Sequence, residues 1–300
     1  MDNTWDLELC HLDEDISIPG SIGVSAPPAV YSFKDLDACR TQMRDTVFLA
    51  VDFECVDHRN QEFPKDDYRK MSEIGIATYD RRQTKTQPVA SQFQTPSNVT
   101  TSNARLKQIA KDITAEHVMI REWQGTTEKT CPAFFHVKNT KKPNKPPAPH
   151  RARPYHCMFA RSTIGLSKEQ GMERLKDAIR QATVSNLTAY EKERGLQRQV
   201  RIISWCSNME ERIFRQAGIH LDELGSDVKM WDLQIWMPFR LRFPDYRTGG
   251  DTAFASLGIV GELDSEGHLS TVLHNATNDA VTEVLALLRF MVMKEAEWDA

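Results

Sequence analysis

The chain has 300 residues, of which 40% are hydrophobic and 27% charged, with a formal net charge of −4. That length supports one large core, and the slight acidity excludes a global attraction to nucleic acid, so any such attraction must come from a local basic segment. No run of about 18 apolar residues is present, which argues against a membrane-spanning helix. Residues 1–15 are acidic and lack the basic-then-apolar order of a signal peptide. The six cysteines (Cys10, Cys39, Cys55, Cys131, Cys157, Cys206) have no CxxC spacing and read as reduced thiols. An intracellular location, cytosol or nucleus, is therefore expected.

In chain order, residues 1–30 are acidic and then rich in Ser, Gly and Pro, which predicts a disordered arm. Residues 31–43 suit a short helix. Residues 46–53 (TVFLAVDF) form a continuous apolar, β-branched run, as expected of a strand buried on both faces. Residues 74–79 (IGIATY) and 116–120 suit two further strands. Residues 138–154 (KNTKKPNKPPAPHRARP) contain Lys138, Lys141, Lys142, Lys145, Arg151 and Arg153 among prolines, with no acid and nothing to bury. That composition predicts an exposed, extended loop, either a solvated insertion or a strip that contacts phosphates. Residues 167–182 have helical spacing with Ser167 as N-cap. Residues 200–205 (VRIISW) predict a fourth strand, 209–216 a helix stopping at Gly218, and 228–231 a fifth strand. In residues 277–293, Val281, Val284, Leu285, Leu288 and Met291 repeat at helical spacing, the pattern of an amphipathic helix. Strands followed by alternating helices and strands predict an α/β sheet covered by helices.

Two constellations carry candidate chemistry. Asp52 and Glu54 close the first apolar strand, and side chains two residues apart on a strand share a face. Paired carboxylates at the edge of a core repel each other and are costly to desolvate, a penalty that a divalent cation removes. The bland alternative is a strand that has ended, with both groups in water. His274 and Asp279, in LHNATNDA, sit where a loop enters the last helix. Separately they are an ordinary surface histidine and a helix-dipole partner.

Taken together, VFLAVDFE, then SEIGIATYD, then HNATNDA opening the last helix resemble the DEDDh exonucleases. They are closest to the fungal DEDDh-type domains of the family that includes an RNA-silencing exonuclease and an mRNA-export-associated protein. The resemblance spans roughly residues 46–293. It implies a ribonuclease-H-like fold: a mixed sheet flanked by helices, with residues 31–300 as a single domain. It also implies 3′→5′ hydrolysis of nucleic acid with two Mg²⁺ or Mn²⁺ ions. In that scheme Asp52 bridges the two ions, Glu54 binds one, Asp279 completes that ion's carboxylate set, and His274 is the general base.

The chain departs from the family at the second motif. Where the family usually has Gly-His-Asn-x-x-x-Asp, this sequence reads ISWCSNMEERIFRQAG. Glu210 falls at the Asp position, with Glu211 as an alternative, and Trp205 and Cys206 stand where His and Asn are usual. Both glutamates also read as ordinary exposed helix residues. Asp232, in MWDLQIW, matches a family Asp-x-Gln and reads as structural or substrate-side. The expected function is a metal-dependent exonuclease acting on RNA or single-stranded DNA. The alternatives are a nuclease-like module that binds nucleic acid or a protein without cleaving, and an unrelated interaction scaffold of the same fold.

Overall fold

The computed structural model describes residues 33–42, 45–55, 68–83, 110–123, 157, 159–236, 250, 253–254, 257, 259 and 275–291. The 1–30 arm, the basic 138–154 segment and His274 lie outside the described residues. The elements are α1 (Phe33–Gln42), β1 (Val47–Cys55), β2 (Met71–Asp80), β3 (Thr114–Ile120), β4 (Thr163–Leu166), α2 (Lys168–Val184), α3 (Ala189–Glu193), β5 (Val200–Ser204), α4 (Asn208–Gln216), β6 (Val228–Asp232) and α5 (Ala276–Met291).

The strands form one six-stranded sheet in the order β4-β3-β2-β1-β5-β6. β1, β2 and β3 run as an antiparallel meander, and β5 and β6 add in parallel on the other side of β1. This is the mixed α/β sheet flanked by helices expected of a ribonuclease-H-like domain. The predicted strands and helices all form, with ends shifted by a few residues. β4 and α3 were not anticipated. β4 is a four-residue strand paired parallel to β3, and its half-exposed side chains leave little apolar signature. No helix among the described residues is long and apolar enough to cross a membrane. None of Cys39, Cys55, Cys157 and Cys206 is in a disulfide.

Alternation along β1 divides the core in two. Val47, Leu49, Val51 and Phe53 pack with α2 and α4, while Phe48 and Ala50 pack with α5. Both faces are covered, hence the continuous apolar run. Asp52 and Glu54 continue the even-numbered row and so lie on the α5 side. Two local signals fix the helices on the face opposite this row. Ser167 caps α2 through a reciprocal capping box with Gln170. Gly218 stops α4 with a φ of +63°, a conformation that a residue with a Cβ adopts at a cost. On the opposite face, the Phe53 and Phe214 rings meet edge to face with centroids 5.9 Å apart, locking α4 against β1.

Candidate metal centre

The register of the sheet explains how residues from the two ends of the sequence meet. Asp52 pairs with Gly75 on β2, and Gly75 pairs with His117 on β3. One row further along β1, Ala50 pairs with Ala77, which pairs with Ala115. These small residues make a shallow trough on the α5 side, deepest at Gly75. A Cβ built there would collide with the Ala276 carbonyl and the Thr277 amide, so the start of α5 rests directly on the strand backbone. Thr277 donates its hydroxyl to the Glu116 carbonyl, 2.9 Å away. The Asn275 amide reaches Glu73 at 3.4 Å and the His117 ring at 3.2 Å. The first turn of α5 is therefore clamped to β2 and β3, and that turn carries Asp279.

The result is convergence. Asp52, Glu54 and Asp279 each offer a carboxylate oxygen, and these oxygens lie within 4.8 Å of one another. Gly75→Ala is expected to test the clamp. Overpacking of this kind typically costs about 1–3 kcal/mol, and it would also lift Asp279 away from Asp52. Thermal unfolding should show a lower Tm, and divalent-cation titration a weaker site. A Gly75→Ala protein with unchanged Tm would show that α5 does not need this contact.

A second set of acids surrounds the first. β1 and β5 are parallel, with Ala50 beside Ile203, so the turn after β5 lies level with Asp52. Cys206 in that turn has a φ of +65°, unusual for a residue with a side chain. The Asp232 carboxylate holds the turn by accepting the Cys206 amide at 3.1 Å and the Ser207 amide at 3.0 Å. Glu283 accepts the Trp205 amide at 2.6 Å. α4 starts from this turn. Glu210 is buried in its first turn at 3% exposure, on the same stripe as Ile213 and Phe214. Glu211 is only half-buried and accepts the Ser207 hydroxyl. The reading of both glutamates as exposed is thus corrected for Glu210: its position three and four residues before two core side chains turns it inward. Of the two readings of Asp232, structural or substrate-side, these bonds to the turn supply the structural part.

Electrostatics sharpen the picture. Burial raises the Asp52 pKa well above the usual carboxylate value, and the charges of Asp279, Glu54, Glu210 and Glu283 raise it further. Its Oδ2 is sealed from solvent and accepts no hydrogen bond. Burial likewise raises Glu283, with Glu210, Asp279 and Asp232 adding to the effect and the Trp205 amide opposing it. Asp232 is raised by burial, with backbone N–H donors from Ser207, Gln234 and Cys206 opposing that rise. Desolvated carboxylates with open lone pairs and like-charged neighbours are destabilised until a cation neutralises them. Clustered carboxylate oxygens suit a hard divalent ion such as Mg²⁺ or Mn²⁺, so the residues present fit that group.

Of the residues singled out from sequence, Asp52, Glu54, Asp279 and Glu210 come to one place. His274 immediately precedes the clamped Asn275 but is outside the described residues, as are Lys138, Lys141, Lys142, Lys145, Arg151 and Arg153. Sequence reasoning missed Glu283, whose signal is a spacing of four from Asp279. It also missed the buried Glu73–His117–Asn275 cluster, in which His117 Nδ1 lies 2.8 Å from the Thr163 hydroxyl. No protein-family model matches the chain, and no curated protein matches it.

Proposed function

We propose that this chain is a two-metal 3′→5′ exonuclease of the DEDDh type, hydrolysing phosphodiester bonds of RNA or single-stranded DNA. The observation that carries the reading is the convergence of Asp52, Glu54 and Asp279, from opposite ends of the sequence, within 4.8 Å. Two Mg²⁺ or Mn²⁺ ions bound in such a site lower the pKa of water and neutralise the attacking and leaving oxygens of an in-line displacement. Asp52, Glu54 and Asp279 would hold one ion, and Glu210 would serve the other. Partial burial of Asp52, Glu54 and Asp279 and full burial of Glu210 strengthen their charge interactions. His274, next in sequence to the clamped Asn275, is in this proposal the base that would take the proton from the attacking water.

The test uses purified chain, 5′-labelled single-stranded RNA and DNA, and either Mn²⁺ or Mg²⁺. Stepwise shortening from the 3′ end that a chelator stops is the expected result. Intact strands with either ion would overturn the reading. The replacement of the motif's Asp by Glu210 favours one other reading, a nuclease-like module that binds without cleaving, and retained strand binding without cleavage would establish it.

In this proposal the 138–154 segment contacts phosphates. Its deletion is expected to weaken single-strand binding and reduce the slope of log affinity against log salt by about 0.7 per lost contact. An unchanged slope would make the segment a solvated insertion.

A further inference from the structure

Beneath the start of α5, beside the Gly and Ala residues of the trough, the sheet presents polar side chains. His117 on β3 is 0% exposed, Glu73 on β2 is 4% and Asn275 is 6%. The His117 ring is held at both nitrogens. Nδ1 lies 2.8 Å from the Thr163 hydroxyl on β4, and Nε2 lies 3.3 Å from Glu73 Oε2. The same Glu73 oxygen accepts the Asn275 side-chain N–H at 3.4 Å, and that Asn275 nitrogen lies 3.2 Å from His117 Nε2. The other end of Asn275 serves the helix. Its Oδ1 accepts the Asn278 amide at 3.2 Å, and its backbone carbonyl accepts the Asp279 amide at 3.0 Å. A chain of directional contacts thus runs from Thr163 through His117, Glu73 and Asn275 to the backbone of Asp279.

Capping α5 requires only the Asn275 oxygen, and a serine caps a helix as well as an asparagine. Burying a carboxylate and an imidazole beneath that cap carries a desolvation cost that apolar side chains of similar size avoid. Apolar packing would also hold α5 down, but it is non-directional and leaves the helix free to shift along the sheet. Hydrogen bonds fix distance and direction together. A metal centre needs that, because productive geometry tolerates only about 0.5 Å of error. Asp52 and Glu54 share one strand, whereas Asp279 reaches them only as α5 is docked. We propose that His117 and Glu73 are positioning residues of the metal centre: acting through Asn275, they set where Asp279 stands relative to Asp52 and Glu54. The proposal rests on the metal-dependent reading given above.

Mn²⁺ affinity of the full chain, measured by calorimetry and read beside the metal-free Tm, tests this without any activity readout. Asn275→Ser keeps a capping oxygen and loses the nitrogen that faces Glu73 and His117. It is expected to change the metal-free Tm little and to weaken Mn²⁺ by about tenfold or more, the scale on which indirect partners of a metal site act. His117→Leu, which removes both ring nitrogens, should weaken Mn²⁺ likewise. His117→Gln retains an N–H for Glu73 and should keep most of the affinity. Glu54→Gln, which removes a ligand, should give a larger loss than any of these. Unchanged affinity in both Asn275→Ser and His117→Leu would overturn the positioning role and leave the metal-dependent reading standing. So would a His117→Gln protein as weak as His117→Leu, because the contact with Glu73 would then not be what matters. An unmodified chain that binds no Mn²⁺ would overturn both the positioning role and the metal-dependent reading.

Discussion

Asp52→Asn is expected to abolish turnover while making the metal-free protein more stable. The loss follows from position. Glu54, Asp279, Glu210 and Glu283 all act on the Asp52 carboxylate, so in the proposed scheme its removal weakens the hold on the metal. Charge stabilisation by a bound ion is worth several kcal/mol, and at about 1.4 kcal/mol per tenfold that is about a thousandfold or more in rate. The gain follows from electrostatics. Burial and four neighbouring carboxylates raise the folded-state pKa of Asp52 well above its unfolded value. A raised acid binds its proton more tightly folded than unfolded. Between about pH 4, where the unfolded group titrates, and the raised folded value, the unfolded state has lost the proton and the folded state still holds it. Stability of the metal-free chain therefore falls as pH rises through that window, and Asn removes this contribution. If the proposed metal site is real, saturating Mn²⁺ is expected to bind the deprotonated acids and reverse the trend, stabilising the unmodified protein more at higher pH. The measurement is Tm against pH for both proteins, with and without Mn²⁺. Parallel metal-free curves would show that Asp52 is not under the strain its surroundings imply.

The parts of this fold that sequence revealed are those where one physical cause dominates. β1 was legible because burial on both faces demands an unbroken apolar run. α2 was legible from its helical spacing and Ser167 as N-cap, to which the structure adds the Gln170 half of a capping box, and the end of α4 because Gly218 supplies a positive φ. β4 was not. It is short, it lies at the sheet edge, and Ile164 remains 41% exposed. For the site, Asp52 and Glu54 were legible from strand alternation, and their connection to Asp279 from the resemblance. What joins them physically is Gly75, and its importance appears only when β2 is paired with β1 and α5 is laid across it. Glu283 was hidden because a carboxylate inside an amphipathic helix reads as part of its polar side. The choice between Glu210 and Glu211 was in fact available: Ile213 and Phe214 mark the inward stripe, and Glu210 lies on it while Glu211 lies beside it.

That distinction supports the second large prediction, a comparison at position 210. Glu210 is buried and acts on both Asp52 and Glu283, whereas Glu211 is tied to the Ser207 hydroxyl at the start of α4. Glu210→Ala is expected to remove most turnover with a smaller effect on substrate binding, because the ion it approaches acts on the leaving oxygen, whose charge develops in the transition state. Glu211→Ala should cost little activity and at most a modest amount of stability from the lost contact at the helix start. Mn²⁺ is expected to support higher turnover than Mg²⁺, which demands near-ideal octahedral geometry, because a glutamate places its oxygens less rigidly than an aspartate. Glu210→Asp tests whether the longer side chain limits the site. If Glu210 only approximates the usual Asp geometry, the shorter acid should raise turnover and narrow the preference for Mn²⁺. Turnover of the three variants at saturating Mn²⁺ is the measurement. Full activity in Glu210→Ala with a dead Glu211→Ala would shift the motif by one residue, against the inward placement of Glu210.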